Sequence, residues 1–251
     1  MNIEHLVLIR FSVEFNNRPE FNKRLPELFD KERLELRMKL FKEFCLWSLI
    51  NQTLINFKAI IIYDPKLPKE YLDQLIKLTK DYKYIILHKW DIKDNVSTNK
   101  WLQPYIDKSK DLLITSRFDD DDIIRIDLNE LMYGFIRRKI KYVKNSIISF
   151  KKGKFIYIDK DKYSISPCCY KHNIGIWLSH ITDINSDINI YNFDHSRIES
   201  IRIFNLGDNF SWGCVNHSWG NDNRIIRMKH KYAKRNKINQ IKLHEIYDFF
   251  S

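Results

Sequence analysis

Four consecutive aspartates, Asp119 to Asp122, are the residues of this chain whose type and spacing most clearly indicate chemistry. The apolar segment 112–115, LLIT, precedes them and predicts a short buried strand. Like charges this close repel one another, and a chain with 43 Lys and Arg against 32 Asp and Glu has no general reason to gather acid here. A divalent cation would supply the reason, because carboxylates bind Mg²⁺ and Mn²⁺ and ligands bind at the carboxyl ends of α/β strands. The alternative is an acidic turn that begins a helix.

A second carboxylate, Asp64, also ends a strongly apolar segment, FKAIIIY at 57–63. Two carboxylates at the ends of neighbouring parallel strands outline a nucleotide site, in which one accepts a hydrogen bond from the ligand and the other holds a metal. The alternative is that Asp64, which stands before Pro65, is a plain turn residue.

The elements that must position these carboxylates alternate between strand and helix. In 31–52 apolar residues recur at spacings of three and four, which predicts an amphipathic helix. The chain has no G-x-G-x-x-G after its first strand and no P-loop pattern, so two common nucleotide-binding fingerprints are missing. The alternation is typical of a parallel, right-handed βαβ sheet, so we expect a Rossmann-like first half. The predicted strands are 5–12, 57–63, 84–90 and the segment before Asp119, and the predicted helices are 31–52, 70–82 and 99–110.

The second half of the chain changes to shorter strands after a helix at 126–139. The segments 146–150 and 154–158 predict an antiparallel hairpin about a Lys-Gly turn. Further strands are expected at 174–178 and 188–193. A basic run at 224–237, which could cover phosphates or form a solvated helix face, precedes a final helix at 243–250.

The composition sets only broad limits on function. A net charge of +11 attracts anions such as nucleic acid, nucleotide phosphates or an anionic membrane surface. Lys is abundant together with Ile and Asn, however, a bias that AT-rich coding sequence produces by itself. The four cysteines lack metal-site spacing, no signal peptide is expected, and no apolar run approaches the ~20 residues that span a bilayer. We therefore expect a reduced, cytoplasmic setting.

Five short motifs follow one another along the chain, and together they carry a resemblance to a known family. They are Arg10-Phe11, CLWSLINQT at 45–53, YDPKLP at 63–68, TSRFDDDD at 115–122 and NHSWGNDN at 216–223. With these motifs the chain resembles the GT-A glycosyltransferases and, more closely, the rhamnosyltransferase family of bacteria and viruses. The resemblance covers most of the chain in the same order. It departs from the family pattern at Ser116, which intervenes between Thr115 and Arg117, and in the spacing between His217 and Asn221, which leaves the role of the C-terminal segment open.

The resemblance implies an α/β, Rossmann-like GT-A fold with a mostly parallel central sheet and a smaller antiparallel portion. It implies one catalytic domain over 1–251, with a nucleotide-sugar-binding half at 1–125 and an acceptor-binding half and C-terminal segment at 126–251. The implied activity is metal-dependent transfer of a sugar, with rhamnose as one candidate, from a UDP- or dTDP-sugar to a glycan or protein-linked hydroxyl. No nucleic-acid partner is expected.

The resemblance also implies roles for the acidic motif and the late histidine. Asp121, Asp122 and His217 would hold Mn²⁺ or Mg²⁺ against the donor diphosphate. Asp119 would face the ribose or share the metal. Asp120 would point away and be the most replaceable of the four aspartates.

Further roles fall on residues outside that motif. Asp64 would meet the base or ribose of the donor, and Arg10 or Arg117 the phosphates, because a guanidinium matches phosphate as a fork. Arg117 could also form a structural ion pair with the aspartates. An inverting transfer would need a carboxylate base, for which Asp194 is our choice. The competing carboxylates are Asp183 and Glu199.

Two other classes of function are compatible with the basic charge. A metal-dependent nuclease or phosphotransferase would use the aspartates for two metals, but the sequence has no second acidic motif of matching strength. A basic nucleic-acid-binding module would need no catalysis, but no recognised nucleic-acid motif is present. The glycosyltransferase interpretation accounts for more of the motifs.

Overall fold

The computed structural model describes residues 2–15, 27–159, 162–169, 175–195, 198, 201–207, 210–217 and 240–251. Two β-sheets organise them, one of seven strands and one of four. This arrangement confirms the expected α/β class, with a mostly parallel sheet and a smaller portion formed by the second half of the chain. No helix of the described part of the chain is long and apolar enough to cross a membrane.

Four parallel strands from the first half form one side of the seven-stranded sheet, in the order β4-β1-β2-β3. Each predicted strand of the first half is therefore confirmed, to within a few residues. Apolar side chains of β1 are buried on both faces of the sheet, which fits a central strand. The bounds are β1 Ile3–Phe11, β2 Lys58–Tyr63, β3 Ile85–Lys89 and β4 Leu112–Asp119.

The second half of the chain completes both sheets. The large sheet continues as β10-β6-β9-β4, in which β9 runs antiparallel to both neighbours. The small sheet has the order β5-β11-β7-β8, with β11 and β7 parallel. The bounds are β5 Ile123–Ile124, β6 Ser146–Phe150, β7 Lys152–Asp159, β8 Lys162–Cys169, β9 Leu178–Asp183, β10 Arg202–Leu206 and β11 Trp212–Asn216.

Helices pack against the sheets, and the longest of them spans residues 31–50. It runs without interruption through α1 (Lys31–Leu40), a π-helical segment (Phe41–Leu46) and α2 (Trp47–Ile50). Asp30 caps its start by accepting a hydrogen bond from the Arg33 backbone N–H at 3.1 Å. The helix predicted at 31–52 is thus confirmed apart from its last two residues. The other helices are α3 Lys69–Thr79, α4 Leu128–Arg138 and α5 Leu243–Phe250.

Alternation of side chains along β1 divides the core into two layers. Val7, Ile9 and Phe11 pack with residues of the long helix and of α4 on one face of the sheet. Leu6 and Leu8 pack on the other face with loop residues that include Trp90 and Trp101. A third cluster holds the small sheet and α5 together. The carboxyl edge of β1 and β4 is therefore fixed from both sides.

The hairpin expected from 146–150 and 154–158 is wrong. β6 belongs to the large sheet, where it pairs with β9 and β10, whereas β7 belongs to the small sheet and pairs with β8 and β11. Gly153 is not a turn residue: a side chain there would overlap the Trp212 ring. Glycine at position 153 leaves room for the Trp212 ring of the neighbouring strand β11, because glycine in a strand allows the close approach of another group.

The helix expected at 99–110 is also wrong. Only a short 3₁₀ turn forms there, Gln103–Tyr105. Pro104 has no backbone N–H to donate, so a long helix through this position would lose a hydrogen bond. The Asn99 side chain instead donates to the backbone oxygens of Ser186 and Ile188, at 2.7 and 3.0 Å, which ties this loop to the second half of the chain.

Two strands of the second half were misplaced by the sequence. The one expected at 174–178 begins only at Leu178, because Trp177 has a left-handed backbone with φ of 52°. The one expected at 188–193 is replaced by a 3₁₀ turn, Ile190–Asn192, in which the Asn189 side chain accepts from the Tyr191 N–H at 2.9 Å. The basic run at 224–237 lies outside the described residues, and the final helix at 243–250 is confirmed.

Candidate active site

The predicted site residues of the first half meet at one edge of the large sheet. In the parallel pairing of β1 and β4, Arg10 lies opposite Asp119, and on the other side of β1, Phe11 lies opposite Tyr63. Asp64 follows Tyr63 and so lies at the same edge, two strands from Asp119. The position of both carboxylates at the carboxyl ends of parallel strands is as the sequence predicts.

Two arginines hold Asp119. Arg10 Nη2 donates to Asp119 Oδ1 at 3.1 Å, and Arg117 Nη2 donates to Oδ2 at 3.4 Å. Burial by itself would raise the pKa of the Asp119 carboxyl, but the guanidiniums of Arg117 and Arg10 outweigh it and hold that pKa well below its usual range. Asp119 is therefore ionised at neutral pH, and Arg117 makes the structural ion pair that its position predicts.

An aromatic ring and an imidazole complete the surroundings of these arginines. The guanidinium carbons of Arg10 and Arg117 each lie 5.9 Å from the centre of the Tyr191 ring. Tyr191 reaches this position because the neighbouring Ile190 N–H donates to Thr115 Oγ1 of β4 at 2.9 Å. Arg117 Nη1 also lies 3.3 Å from His195 Nδ1.

The tautomer of His195 follows from that contact. Burial and the charge of Arg117 lower the pKa of His195 to about 4, so the ring is neutral at pH 7. Because Arg117 can only donate, Nδ1 accepts and Nε2 carries the hydrogen. His195 is consequently a hydrogen-bond donor at this edge rather than a proton acceptor.

Asp120 does not point away from the site, as the resemblance led us to expect. Its side chain is 1% exposed and forms an ion pair with Arg37 of α1, with Nε donating to Oδ2 at 3.0 Å. Arg37 Nη1 also contacts Asp121 Oδ2. A buried carboxylate needs a partner of opposite charge. The Arg37 guanidinium is that partner for Asp120, which the resemblance led us to expect in solvent.

Asp121 and His217 are brought together by β11. The His217 Nε2 and Asp121 Oδ2 atoms lie 2.8 Å apart, and their side chains are 2% and 14% exposed. Burial would raise the pKa of Asp121, but Arg37 and His217 together lower it below the usual value. The structure thus brings His217, which was expected to hold a metal, into contact with the acidic motif.

Asp122 has a different environment from its neighbours. Its Oδ1 accepts a hydrogen bond from the Val215 backbone N–H at 3.0 Å, which fixes β11 to the acidic turn. Burial, followed by the charges of Asp121 and Asp119, raises the pKa of Asp122 well above its usual value.

The donor atoms at this corner fit a divalent cation only in part. Asp121 Oδ2 and His217 Nε2 are atoms of a type that binds divalent cations, and they lie 2.8 Å apart in a hydrogen bond with each other. Within the described ranges, however, no group of three or more His, Cys, Asp or Glu side chains is arranged to hold a metal. Asp122 is directed to the Val215 N–H, and Arg37 stands against Asp121.

Asp64 and Asp194 differ in how firmly they are held. Asp64 is buried, and its oxygens accept from the backbone N–H groups of Lys66 at 2.8 Å and Glu14 at 3.4 Å, so it has the turn role that was its alternative interpretation. Asp194 is about half exposed, at 53%, with Oδ1 4.0 Å from His195 Nδ1. It therefore lies beside the group formed by His195 and Arg117.

The motif CLWSLINQT fixes the chain that follows the aspartates. Ser48 Oγ accepts from the Ile124 N–H at 3.0 Å. Gln52 donates to the Arg125 carbonyl at 2.9 Å and accepts from the Asn129 N–H at 3.1 Å. The end of the long helix and the residues just after it thereby hold the chain that follows the acidic residues.

Arg37, Tyr191 and His195 are site residues to which the sequence reasoning gave no role. Arg37 stands three residues after Leu34 and four before Phe41, so it lies on the apolar stripe of its helix. A charged residue within an apolar stripe is a signal of a buried ion pair and could have been recognised. Tyr191 gave no such signal, because its position depends on a turn that the sequence predicted as a strand.

The sequence model of a family described as "Putative rhamnosyl transferase" matches residues 4–230 of the chain. No curated protein matches it in sequence. Among solved structures, S. aureus TarS 1–349 in complex with UDP-GlcNAc is 10% identical, over 88% of this chain and 60% of that one, with a TM-score of 0.49. The apo structure of the bifunctional glycosyltransferase WbbM is 9% identical over 73% of this chain and 32% of that one, with a TM-score of 0.34. The chain thus spans about 60% of the length of TarS 1–349.

Proposed function

The chain belongs to the rhamnosyl transferase family, and we propose that it is a glycosyltransferase. In this proposal it moves a sugar from a nucleotide-diphosphate donor to a hydroxyl of a glycan or protein-linked acceptor. A UDP- or dTDP-sugar is the proposed donor, with rhamnose as one candidate sugar. The observation that carries the proposal is the pair of guanidiniums, Arg10 and Arg117, held by Asp119 at the carboxyl edge of the sheet.

The donor diphosphate would bind to these guanidiniums. Arginine presents a planar fork of N–H donors that fits two phosphate oxygens, and the Tyr191 ring keeps both forks at the same edge. His195 adds a neutral Nε2–H donor beside them. Asp119 would accept from a ribose hydroxyl, and Asp64 would meet the base or ribose one strand beyond β1.

A divalent cation, Mn²⁺ or Mg²⁺, belongs to this proposal with Asp121 and His217 as its first ligands and Asp122 as the third candidate. When bound, it would supply positive charge to offset the charge that develops on the departing nucleoside diphosphate. The arginines supply charge of the same sign from the protein itself.

The acceptor hydroxyl would lose its proton to a carboxylate as its oxygen forms the new bond to the anomeric carbon. Asp194 is the proposed base, because it is accessible and stands beside the diphosphate-binding group. His195 is unsuited to that role, since its Nδ1 accepts from Arg117 and its Nε2 already carries a hydrogen. The bond between the sugar and the phosphate breaks, and its electron pair leaves with the nucleoside diphosphate.

A panel of nucleotide-sugars with Mn²⁺, read by release of free nucleotide, tests the proposal. We expect slow hydrolysis of one or a few donors, lost with EDTA and in Asp121→Asn. The matched control is Asp91→Asn, which changes an exposed aspartate of a surface turn and should keep full activity. If no donor is hydrolysed or raises the melting temperature, while DNA does both, the proposal fails.

A further inference from the structure

Arg37 occupies the centre of the acidic corner. Its Nε donates to Asp120 Oδ2 at 3.0 Å, and its Nη1 contacts Asp121 Oδ2 and lies 3.5 Å from His217 Nε2. The side chain is 12% exposed, so these contacts are shielded from water. The same guanidinium therefore touches Asp121 and His217, two of the three residues that were expected to bind a metal ion.

A metal ion and this guanidinium would compete for those atoms. A guanidinium is charged at every accessible pH and repels a second cation strongly where water is excluded. The Asp121 oxygen that faces Arg37 is also the one that faces His217, so both cations would need the same side of one carboxylate. Asp120, by contrast, pairs with Arg37 and with no other side chain in the described part of the chain.

We propose that Arg37 is the resident cation of the acidic corner and competes with divalent metal for Asp121 and His217. Metal binding requires the guanidinium to leave Asp121, while Asp120 retains it close by. This assigns a purpose to the second aspartate of the motif, which anchors the arginine in both states. The inference rests on the metal site of the proposed function but not on the transfer reaction.

The affinity for Mn²⁺ in the absence of any donor, measured by titration calorimetry, tests this competition. We expect Arg37→Met to bind Mn²⁺ at least tenfold more tightly than the unaltered chain. The matched control is Arg125→Met, which removes an arginine paired with Asp127 and should leave the affinity for Mn²⁺ unchanged. An affinity of folded Arg37→Met that is equal to or weaker than that of the unaltered chain overturns the proposal, and so does the absence of Mn²⁺ binding to both proteins.

The unaltered chain provides a second measurement, which decides the question if Arg37→Met does not fold. In a titration with diamagnetic Mg²⁺, the Nε–H resonance of Arg37 should shift as its contact with Asp121 is lost, while that of Arg125 stays in place. An Arg37 resonance that is unmoved up to saturating Mg²⁺ overturns the proposal.

The two proposals fail separately. If the chain hydrolyses a donor but binds Mn²⁺ equally well with and without Arg37, the competition is refuted and the glycosyltransferase site stands. If Arg37→Met binds Mn²⁺ more tightly and no donor is hydrolysed, the competition stands and the glycosyltransferase proposal is refuted.

Discussion

The four adjacent aspartates have four different sets of partners. Asp119 binds two arginines of the sheet edge, Asp120 binds Arg37, Asp121 lies between Arg37 and His217, and Asp122 accepts from the backbone of β11. Residues of one type in one run therefore serve in four environments. The sequence could show that counter-charge was needed, but it could not show that part of it comes from a helix some 80 residues earlier in the chain.

Replacing Asp120 should destabilise the protein, in contrast to the expectation from the motif alone. Loss of one partner of a buried ion pair is strongly destabilising, and Arg37 would keep only Asp121, so we expect Asp120→Asn to lower the free energy of unfolding by about 3 kcal/mol. Urea denaturation measures this change. In the matched control, Asp73→Asn removes the carboxylate of an exposed pair with Lys69 and should cost less than about 1 kcal/mol. Equal effects of the two substitutions would show that the Asp120 pair is not buried in solution.

His5 gives the protein a pH-dependent stability. It is fully buried, bonded through Nε2 to Ser116 Oγ at 2.8 Å, and burial lowers its pKa to about 3. The unfolded chain takes up this proton below about pH 6.5 and the folded chain does not, so stability is lost as the pH falls from 6.5 towards 3. We expect His5 to account for a loss of about 2 kcal/mol between pH 7 and pH 5.

Urea denaturation of the unaltered chain and of His5→Gln at both pH values isolates this contribution. The variant will be less stable at pH 7, because the substitution disturbs a buried hydrogen bond, but its stability should fall by about 2 kcal/mol less on acidification. The same fall in both proteins would mean that His5 is already protonated, or exposed, in the folded state.

At the scale of elements, the long helix of residues 31–50 connects the two parts of the acidic corner. Its first segment supplies Arg37 to the aspartates. Its end supplies Ser48, and Gln52 two residues beyond the helix also bonds to the turn after the aspartates. The π-helical segment Phe41–Leu46 lies between them and changes the rotation of one part relative to the other. Such segments often occur near functional sites, and here the helix contacts the motif before the segment, through Arg37, and the turn after the motif beyond it, through Ser48.

Gln52 should therefore affect activity more than its neighbour does. Its amide is buried and bonds to Arg125 O and Asn129 N, so Gln52→Ala leaves buried polar groups without partners and should cost about 2 kcal/mol of unfolding free energy. Hydrolysis of the donor should also slow, because the aspartates lose the support of the following turn. The control Asn51→Ala removes a side chain that is exposed and bonds only within its own helix, to Trp47 O. Comparable losses of stability and activity in both variants would refute the positioning role of Gln52.

The sequence predicted the elements that depend on local patterns and missed those that depend on contacts between residues far apart in the chain. The strands of the first half and the helices expected at 31–52 and 70–82 were predicted because each has a strong local pattern, as in β2 and the long helix. The hairpin at 146–158 failed because β6 and β7 look alike locally and differ only in which sheet they join. The helix at 99–110 failed because Asn99 bonds to a loop that is almost 90 residues away in sequence.

At the scale of the whole molecule, the sheet brings motifs that are distant in sequence to one edge. β1, β2 and β4 place Arg10, Asp64 and Asp119 there, and the second half adds Tyr191, His195 and His217. The sequence could predict the first group from the rule for parallel strands. It could not place the residues of the second half beyond the motif resemblance, because they depend on loops and on the small sheet.

Part of the positive charge of this chain, whose net charge is +11, lies next to the acidic motif. Three arginines, Arg10, Arg37 and Arg117, lie within reach of the acidic run and balance most of it. The corner is consequently not the strongly negative patch that the four aspartates alone would make. A diphosphate can approach it without the repulsion that four unpaired carboxylates would impose.

A crystal structure of the chain with UDP and Mg²⁺ would test the central claim most directly. We predict that the diphosphate lies within hydrogen-bonding distance of Arg10 or Arg117, with the ribose towards Asp119 and the base towards Asp64. A nucleotide bound elsewhere, such as the cleft between α1 and α3 that Met38, Tyr71 and Leu78 line, would contradict it.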